Sequence, residues 1–213
     1  MISFFLRAKH WLVFILTSGI PMIVQMFIFI GMMGQMMGMF YAESEPDPDQ
    51  FLKIYQFMKF FPLIILIGSA GFFLWMWSLG IGLQHKIPAS VRLNTGWFKL
   101  AMILPIVYIF LLATFIMSIF RELNLGTQGE LPFNPTYMMF IIPLHLLTML
   151  CMFYAMYFSA KSLKTAELQK EAGISEFALE FVLIWFYIIG VWFIQPRVNA
   201  IMERSGESST DIS

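Results

Sequence analysis

The sequence predicts an all-α integral membrane protein: a bundle of about five transmembrane helices with short loops and one interfacial amphipathic helix. Two observations lead to this fold class. The chain of 213 residues is 59% hydrophobic and only 12% charged, whereas soluble domains carry roughly 25% charged residues. It also contains several apolar runs of the roughly 20 residues that cross a hydrocarbon core. We therefore expect the lipid bilayer to be its solvent and residues 1–204 to form a single transmembrane domain.

The predicted spans lie near residues 11–40, 57–83, 98–120, 137–159 and 177–194. The first run is much longer than the 7–15 residues of a signal-peptide core, so we interpret it as a retained span. Prolines inside the third and fourth spans should kink them, which a helix bundle accommodates. The fifth span is the weakest of the set, and a four-span bundle with a re-entrant final segment is the alternative. Residues 205–213 are predicted to form a disordered polar tail.

Two connecting segments have a recognisable pattern. In "PDPDQFLKIYQFMKFF", Asp49 precedes an amphipathic turn as an N-cap residue, which predicts an interfacial helix on the membrane surface. The segment "SAKSLKTAELQKEAGISEF" predicts an extension of the fourth helix beyond the bilayer. Gly173 ends that extension, and Glu176 lies in the first turn of the next helix.

The distribution of basic residues predicts the orientation. The N-terminal segment and the loops after the second and fourth spans contain eight of the 13 Lys and Arg residues, and the opposite segments contain five. Cytoplasmic loops carry an excess of Lys and Arg. We therefore expect a cytoplasmic N-terminus and an external C-terminus, in a plasma (inner) membrane.

The stretch "GMMGQMMGMF" at residues 31–40 holds three glycines and five methionines. At about 100° per residue the methionines of this helix cluster on one side, whereas Gly31, Gly34 and Gly38 lie on roughly the other side. Gly34 and Gly38 form the small-xxx-small pattern that lets helix backbones approach closely in lipid. Methionine is flexible and fills irregular contacts. The pattern therefore predicts a helix in the centre of a bundle or at a subunit interface.

A second interpretation of the methionines is a soft-metal site, because thioethers select Cu(I). His145 lies within a methionine stripe on the fourth span, and the speculative ligands are spaced as on a helix face: Met33, Met37, Met149 and Met152. Cys151, the only cysteine, is rotated away from the His145 face by about 240°. We expect no tightly bound metal here.

Three polar residues inside predicted spans are speculative functional residues. Ionisable groups in a membrane are costly and therefore candidates for function. Glu180 lies one turn into the fifth span, and we expect it to meet a lysine at the membrane edge. His145 follows a proline kink, where it can bond a freed carbonyl or act as a proton or metal site. Gln25 is expected to form an interhelical hydrogen bond.

The sequence predicts no catalytic residue and no cofactor, because it has no catalytic triad pattern, HExxH motif or phosphate-binding glycine loop. A formal net charge of 0 does not suggest nucleic-acid binding. We expect a non-catalytic accessory or scaffold subunit that assembles through the Gly- and Met-rich helix faces, with a membrane-protein partner or its own copies. The alternative is a small oligomeric pore or carrier for a neutral substrate or a soft metal ion. An intramembrane enzyme is a more distant third.

Overall fold

A computed structural model describes residues 2–41, 61–124 and 136–207, and these ranges are helical with short turns and no strand. The interfacial helix predicted after Asp49 and most of the predicted polar tail lie outside the described residues. The helices are α1 (Ile2–Arg7), α2 (His10–Phe14), α3 (Ile20–Phe40), α4 (Phe61–Trp77), α5 (Thr95–Asn124), α6 (Thr136–Leu168), α7 (Ile174–Trp185) and α8 (Tyr187–Glu207). A π-helical turn, Ile15–Gly19, joins α2 to α3, and a second, Ser78–Gly82, extends α4.

Four helical stretches are long and apolar enough to cross a membrane, namely His10–Gly38, Leu63–Lys86, Thr95–Ile119 and Tyr137–Leu168. They correspond to the first four predicted spans. The extension of the fourth helix is also present, because α6 continues to Leu168 before a turn and the N-cap at Gly173. The chain is therefore an all-helical bundle compatible with a membrane, as its composition predicts.

The predicted fifth span, 177–194, is not one helix, and this prediction is corrected. The helix is interrupted at Phe186, which separates α7 from α8. Arg197 of α8 donates a hydrogen bond to Glu180 of α7. In one straight helix these residues would be about 25 Å apart, so α7 and α8 are antiparallel. At Gly190 an added Cβ would lie 1.7 Å from the carbonyl oxygen of Leu183, which makes glycine necessary where the two helices cross. The helix pair is compatible with the re-entrant alternative.

The hairpin of α7 and α8 brings the end of α8 next to the N-terminal helix α1. Gln195 donates hydrogen bonds to the carbonyl oxygens of Phe5 at 2.6 Å and Ala8 at 3.0 Å. Asn199 donates to the same carbonyl of Ala8 at 3.2 Å. The end of α8 therefore lies beside α1, at the same end of the bundle as the N-terminus. The sides of a membrane on which the two termini lie stay a prediction.

The buried core is concentrated at that shared end. Large, fully buried side chains come from α4, α5, α6 and α7, among them Trp75, Phe98, Leu163 and Phe177. In contrast, none of the α3 residues whose side chains the structure describes is buried. The other end of the bundle is packed much more loosely.

The close approach between the first and second of these helical stretches is made by glycines outside the methionine-rich segment. A Cβ added to Gly71 would lie 3.0 Å from Cα of Thr17, and one added to Gly68 would lie 3.2 Å from Cβ of Pro21. A Cβ added at Gly34 or Gly38 would meet no described atom within 4 Å. Close packing at Gly34 and Gly38 is therefore not made within the described part of the chain, and only another neighbour can supply it. Gly31 is half-buried.

Candidate functional site

His145 is paired with a tyrosine of the neighbouring span. Its Nδ1 lies 3.0 Å from the hydroxyl oxygen of Tyr108 on α5, and the Tyr108 side chain is buried while His145 is exposed. The hydroxyl of Thr148 donates to the carbonyl of His145 at 2.7 Å, and this bond adjoins the kink expected at Pro143. The imidazole therefore meets a hydroxyl of another helix instead of a freed carbonyl.

This pair lines a cavity of about 420 Å³ between α4, α5, α6 and the end of α7. Its remaining wall is largely apolar and aromatic, and includes Phe73, Met149, Met152 and Trp185. A second cavity of about 350 Å³ lies between α4 and α5 and shares Ser69, Phe73 and Ile109 with the first. No charged residue lines either cavity among the described residues. Such a space suits an apolar molecule with very few polar groups.

The speculative methionine ligands fall into two separate groups. Met149 and Met152 line the cavity together with His145. Met33 and Met37 belong to α3, which packs on α4, and their side chains are 40% and 51% exposed. The described residues contain no cluster of three His, Cys, Asp or Glu side chains suited to a metal ion.

Glu180 forms part of a charged cluster at the base of the hairpin. Its side chain is only 2% exposed, and its Oε1 accepts hydrogen bonds from Lys164 at 3.1 Å and from Arg197 at 2.5 Å. The guanidinium of Arg197 also donates two bonds to both carboxylate oxygens of Glu167. Two cations thus balance two carboxylates, and the cluster ties α8 to both α6 and α7. A bidentate Arg–carboxylate pair is the strongest geometry for such a tie.

Sequence reasoning anticipated the pairing of Glu180 with a lysine of α6 and missed Arg197 and Glu167. A fifth span would have put Arg197 on the other side of the membrane, far from Glu180. The available signal was the polar sequence "QPRVN" directly after an apolar run, where a helix returning to the interface would carry its polar anchors.

Exposed ion pairs surround this cluster in the turn between α6 and α7. Lys161 contacts Glu171 at 2.7 Å, and Lys170 contacts Glu176 at 2.9 Å. Glu176 also accepts the backbone N–H of Gly173 at 2.7 Å, which caps α7 as the sequence predicts. The hydrogen bond from Lys170, together with that from Gly173, lowers the pKa of Glu176.

The tip of the hairpin is fastened inside the bundle. The hydroxyl of Tyr187 donates to the carbonyl of Thr17 at 3.0 Å and accepts from the hydroxyl of Ser18 at 2.9 Å. Both partners lie in the first π-helical turn, about 10 Å along the helix from His10. Nearer the end of the bundle shared with α1, the fully buried Gln195 accepts a hydrogen bond from the indole N–H of Trp75 at 3.0 Å. The hairpin therefore enters the bundle only part of the way and is held by hydrogen bonds at two depths.

Gln25, the third speculative polar residue, lies on α3 near the middle of the first span with its side chain exposed. It is far from the cavity and from the charged cluster in sequence. The structure thus distributes His145, Glu180 and Gln25 over three separate places. They do not form one site.

Comparison with known proteins brings no assignment: no family model, curated protein or solved structure matches the chain. Three features of the chain itself bear on its function. These are the cavity with the Tyr108–His145 pair, the charged cluster around Arg197, and the uncovered helix α3.

Proposed function

We propose that the protein is a non-catalytic membrane subunit that assembles through the outward face of α3, with a second copy of the chain as its simplest partner. The observation that carries the proposal is the exposure of α3. This helix makes up most of the candidate span His10–Gly38, and none of its described side chains is buried.

The two sides of α3 differ in composition. The side that faces α4 consists of half-buried residues at helical spacing, including Pro21, Ile28, Met32 and Gln35. The opposite side, here called the methionine stripe, carries four side chains that are 40–55% exposed: Met22, Met26, Met33 and Met37. Gly34 and Gly38 lie between the stripe and the side that faces α4, and their backbone is open to a neighbour.

Exposed apolar residues alone would fit a lipid contact, but the composition of α3 favours protein. Seven of the 18 methionines lie in this one helix, and methionine adapts to irregular protein surfaces. The glycine pair permits a close backbone approach, which lipid does not need. Gln25 places a carboxamide at mid-membrane depth, where it gains from a hydrogen-bonding neighbour. The stripe is uncharged, so it can pack against its own copy by a two-fold axis without charge repulsion.

The hairpin supports a definite orientation for this subunit. Ten of the 13 basic residues belong to segments at the end shared by α1 and the end of α8: Arg7, Lys9, Lys86, Arg92, Lys99, Lys161, Lys164, Lys170, Arg197 and Arg204. The sequence puts only Lys53, Lys59 and Arg121 in the connections at the other end. By the positive-inside rule this end faces the cytoplasm of a plasma (inner) membrane. The N-terminus and α8 are then both cytoplasmic.

Adjacent methionines provide a matched test of the assembly. In a Cys151→Ser background, Met33→Cys puts a thiol on the methionine stripe, and Met32→Cys puts one on the half-buried side facing α4. Oxidation in native membranes should yield a disulfide-linked dimer with Met33→Cys and little with Met32→Cys. Adding Gly34→Leu should reduce the Met33→Cys dimer severalfold, because the larger side chain separates the backbones.

The same experiment can refute the proposal. Equal cross-linking by the two cysteines would indicate random collision. A monomeric protein in lipid nanodiscs, without a Met33→Cys dimer, would show that the stripe faces lipid. Cross-linking of Met33→Cys only to a different membrane protein would keep the subunit role and overturn the second copy as partner.

A further inference from the structure

We propose that the cavity between α4, α5 and α6 is a binding site for a neutral, lipid-soluble molecule that carries a carbonyl group, and that the Tyr108–His145 pair is its polar anchor. This site is independent of α3 and of the assembly proposed above. It rests on three observations: an apolar space of about 420 Å³, one polar pair in its wall, and an opening toward the bilayer.

The Tyr108–His145 pair has one hydrogen-bond donor that the contact between the two residues does not use. Tyrosine has one O–H, and a neutral imidazole has one N–H. The single contact of 3.0 Å between Tyr108 and Nδ1 of His145 uses one of these two hydrogens. If Tyr108 donates, the Nε2–H of His145 is left over; if His145 donates, the hydroxyl of Tyr108 is left over. In either tautomer one donor of the pair is not used by this contact.

The other hydroxyl groups of the wall are already satisfied by their own helices. Ser69 donates to the carbonyl of Leu66 at 3.1 Å, and Thr148 donates to the carbonyl of His145 at 2.7 Å. An unpaired donor in an apolar environment is costly, and no bulk water is present in the bilayer to satisfy it. A ligand carbonyl or a similar neutral acceptor would satisfy the donor of the Tyr108–His145 pair.

The lining determines the class of ligand. With no charged side chain among the described residues of the wall, a phosphate or ammonium headgroup would lose its hydration without compensation. Phe73, Phe153 and Trp185 offer flat apolar surfaces, and the adjoining cavity of about 350 Å³ provides room for a chain. Two sources share this chemistry, a quinone ring with an alkyl tail and a neutral acyl lipid with an ester carbonyl.

Access to the site runs through the lipid. His145 and Met149 line the cavity and are exposed on the surface of α6, within the predicted hydrocarbon region. Trp185 at the end of α7 also lines the cavity and is 53% exposed. A molecule dissolved in the bilayer can therefore enter the cavity sideways without crossing water.

Neighbouring residues of α6 allow a controlled test. Met149→Trp fills the cavity, whereas Leu150→Trp adds the same indole to a side chain that is 67% exposed and absent from the cavity wall. The purified full chain in nanodiscs would be titrated separately with a decyl-substituted benzoquinone and with dioleoylglycerol, and bound ligand would be measured by native mass spectrometry. Melting temperatures would establish that both variants are folded.

We expect saturable binding of at least one probe, lost in Met149→Trp and retained in Leu150→Trp. The double variant Tyr108→Phe/His145→Phe removes both donors and keeps the rings, and it should weaken binding about tenfold. The probe that binds identifies the source of the carbonyl. Absence of saturable binding of both probes, or equal binding by the two tryptophan variants, would overturn the site. Unchanged binding by the double variant would overturn the polar anchor.

Discussion

Replacing Arg197 with methionine should destabilise the protein by about 3 kcal/mol, because the change leaves two carboxylates with too little positive charge. Removing one partner from a buried ion pair costs about 3–5 kcal/mol, and the lower end applies since the side chain of Arg197 is 30% exposed. Only Lys164 would remain near the carboxylates, at 3.1 Å from Glu180 and 3.5 Å from Glu167. Methionine keeps most of the length of the arginine stem, so loss of packing should add little.

Two further variants provide reference values for this loss of stability. Glu180→Gln keeps a hydrogen-bond acceptor and leaves the Arg197–Glu167 pair intact, so we expect a loss of about 1–2 kcal/mol. Lys170→Met breaks an exposed pair, in which the side chains are 64% and 34% exposed, and should change the stability very little because water already screens such a pair. The free energy of unfolding would be measured by tryptophan fluorescence in a denaturant titration from mixed micelles. An Arg197→Met loss no larger than that of Lys170→Met would refute a stabilising role for the cluster.

Two other variants test the fold. In a Cys151→Ser background, Ser209→Cys should react with an impermeant maleimide only from the side on which the N-terminus is labelled. Labelling from the opposite side would support the five-span topology. Gly71→Leu should lower the free energy of unfolding by about 1–3 kcal/mol through overpacking against the backbone of Thr17. Gly34→Leu should leave the stability of the monomer in detergent nearly unchanged, and a comparable loss from both glycine variants would show that α3 packs within the chain.

The sequence was sufficient for the helical class and for four spans because the bilayer imposes a simple requirement on them. A backbone in hydrocarbon must satisfy its own hydrogen bonds, and about 20 apolar residues are needed to cross. Composition and the length of each apolar run report directly on both conditions. The continuation of α6 into a charged segment was predictable for the same reason, since the change from apolar to charged residues marks the membrane edge.

The hairpin could not be predicted from the apolar run alone, because a span and a re-entrant pair of helices have the same composition. The difference lies in specific features: the helix break at Phe186, the close approach of the two helices at Gly190, and the polar partners of Gln195 and Arg197. The partners of Gln195 in particular lie far away in the sequence. The basic residues after the run gave an indirect signal, because placing them outside weakened the charge bias.

Within the described part of the chain the close helix contact lies at other glycines than Gly34 and Gly38, whose contact at a subunit interface stays a prediction. Gly34 and Gly38 have the spacing of the small-xxx-small motif, but this spacing permits a close helix approach without requiring it. The contact that the structure shows is at Gly68 and Gly71, in the sequence "GSAG", opposite the π-helical turn that contains Thr17. The small residues of the second span carried the same signal and were available to the same reasoning.

The division of the molecule into a tightly and a loosely packed half connects the fold with both proposals. In lipid, apolar burial gives little driving force between helices, so polar contacts and close packing have to hold a bundle together. The hydrogen bonds of Gln195, the charged cluster around Arg197 and the buried aromatic side chains all lie in the half near the shared end. These contacts hold that half together. The other half, with its uncovered α3 and the cavity beside His145, then remains free to accept a neighbouring chain or a lipid-soluble molecule without weakening the fold.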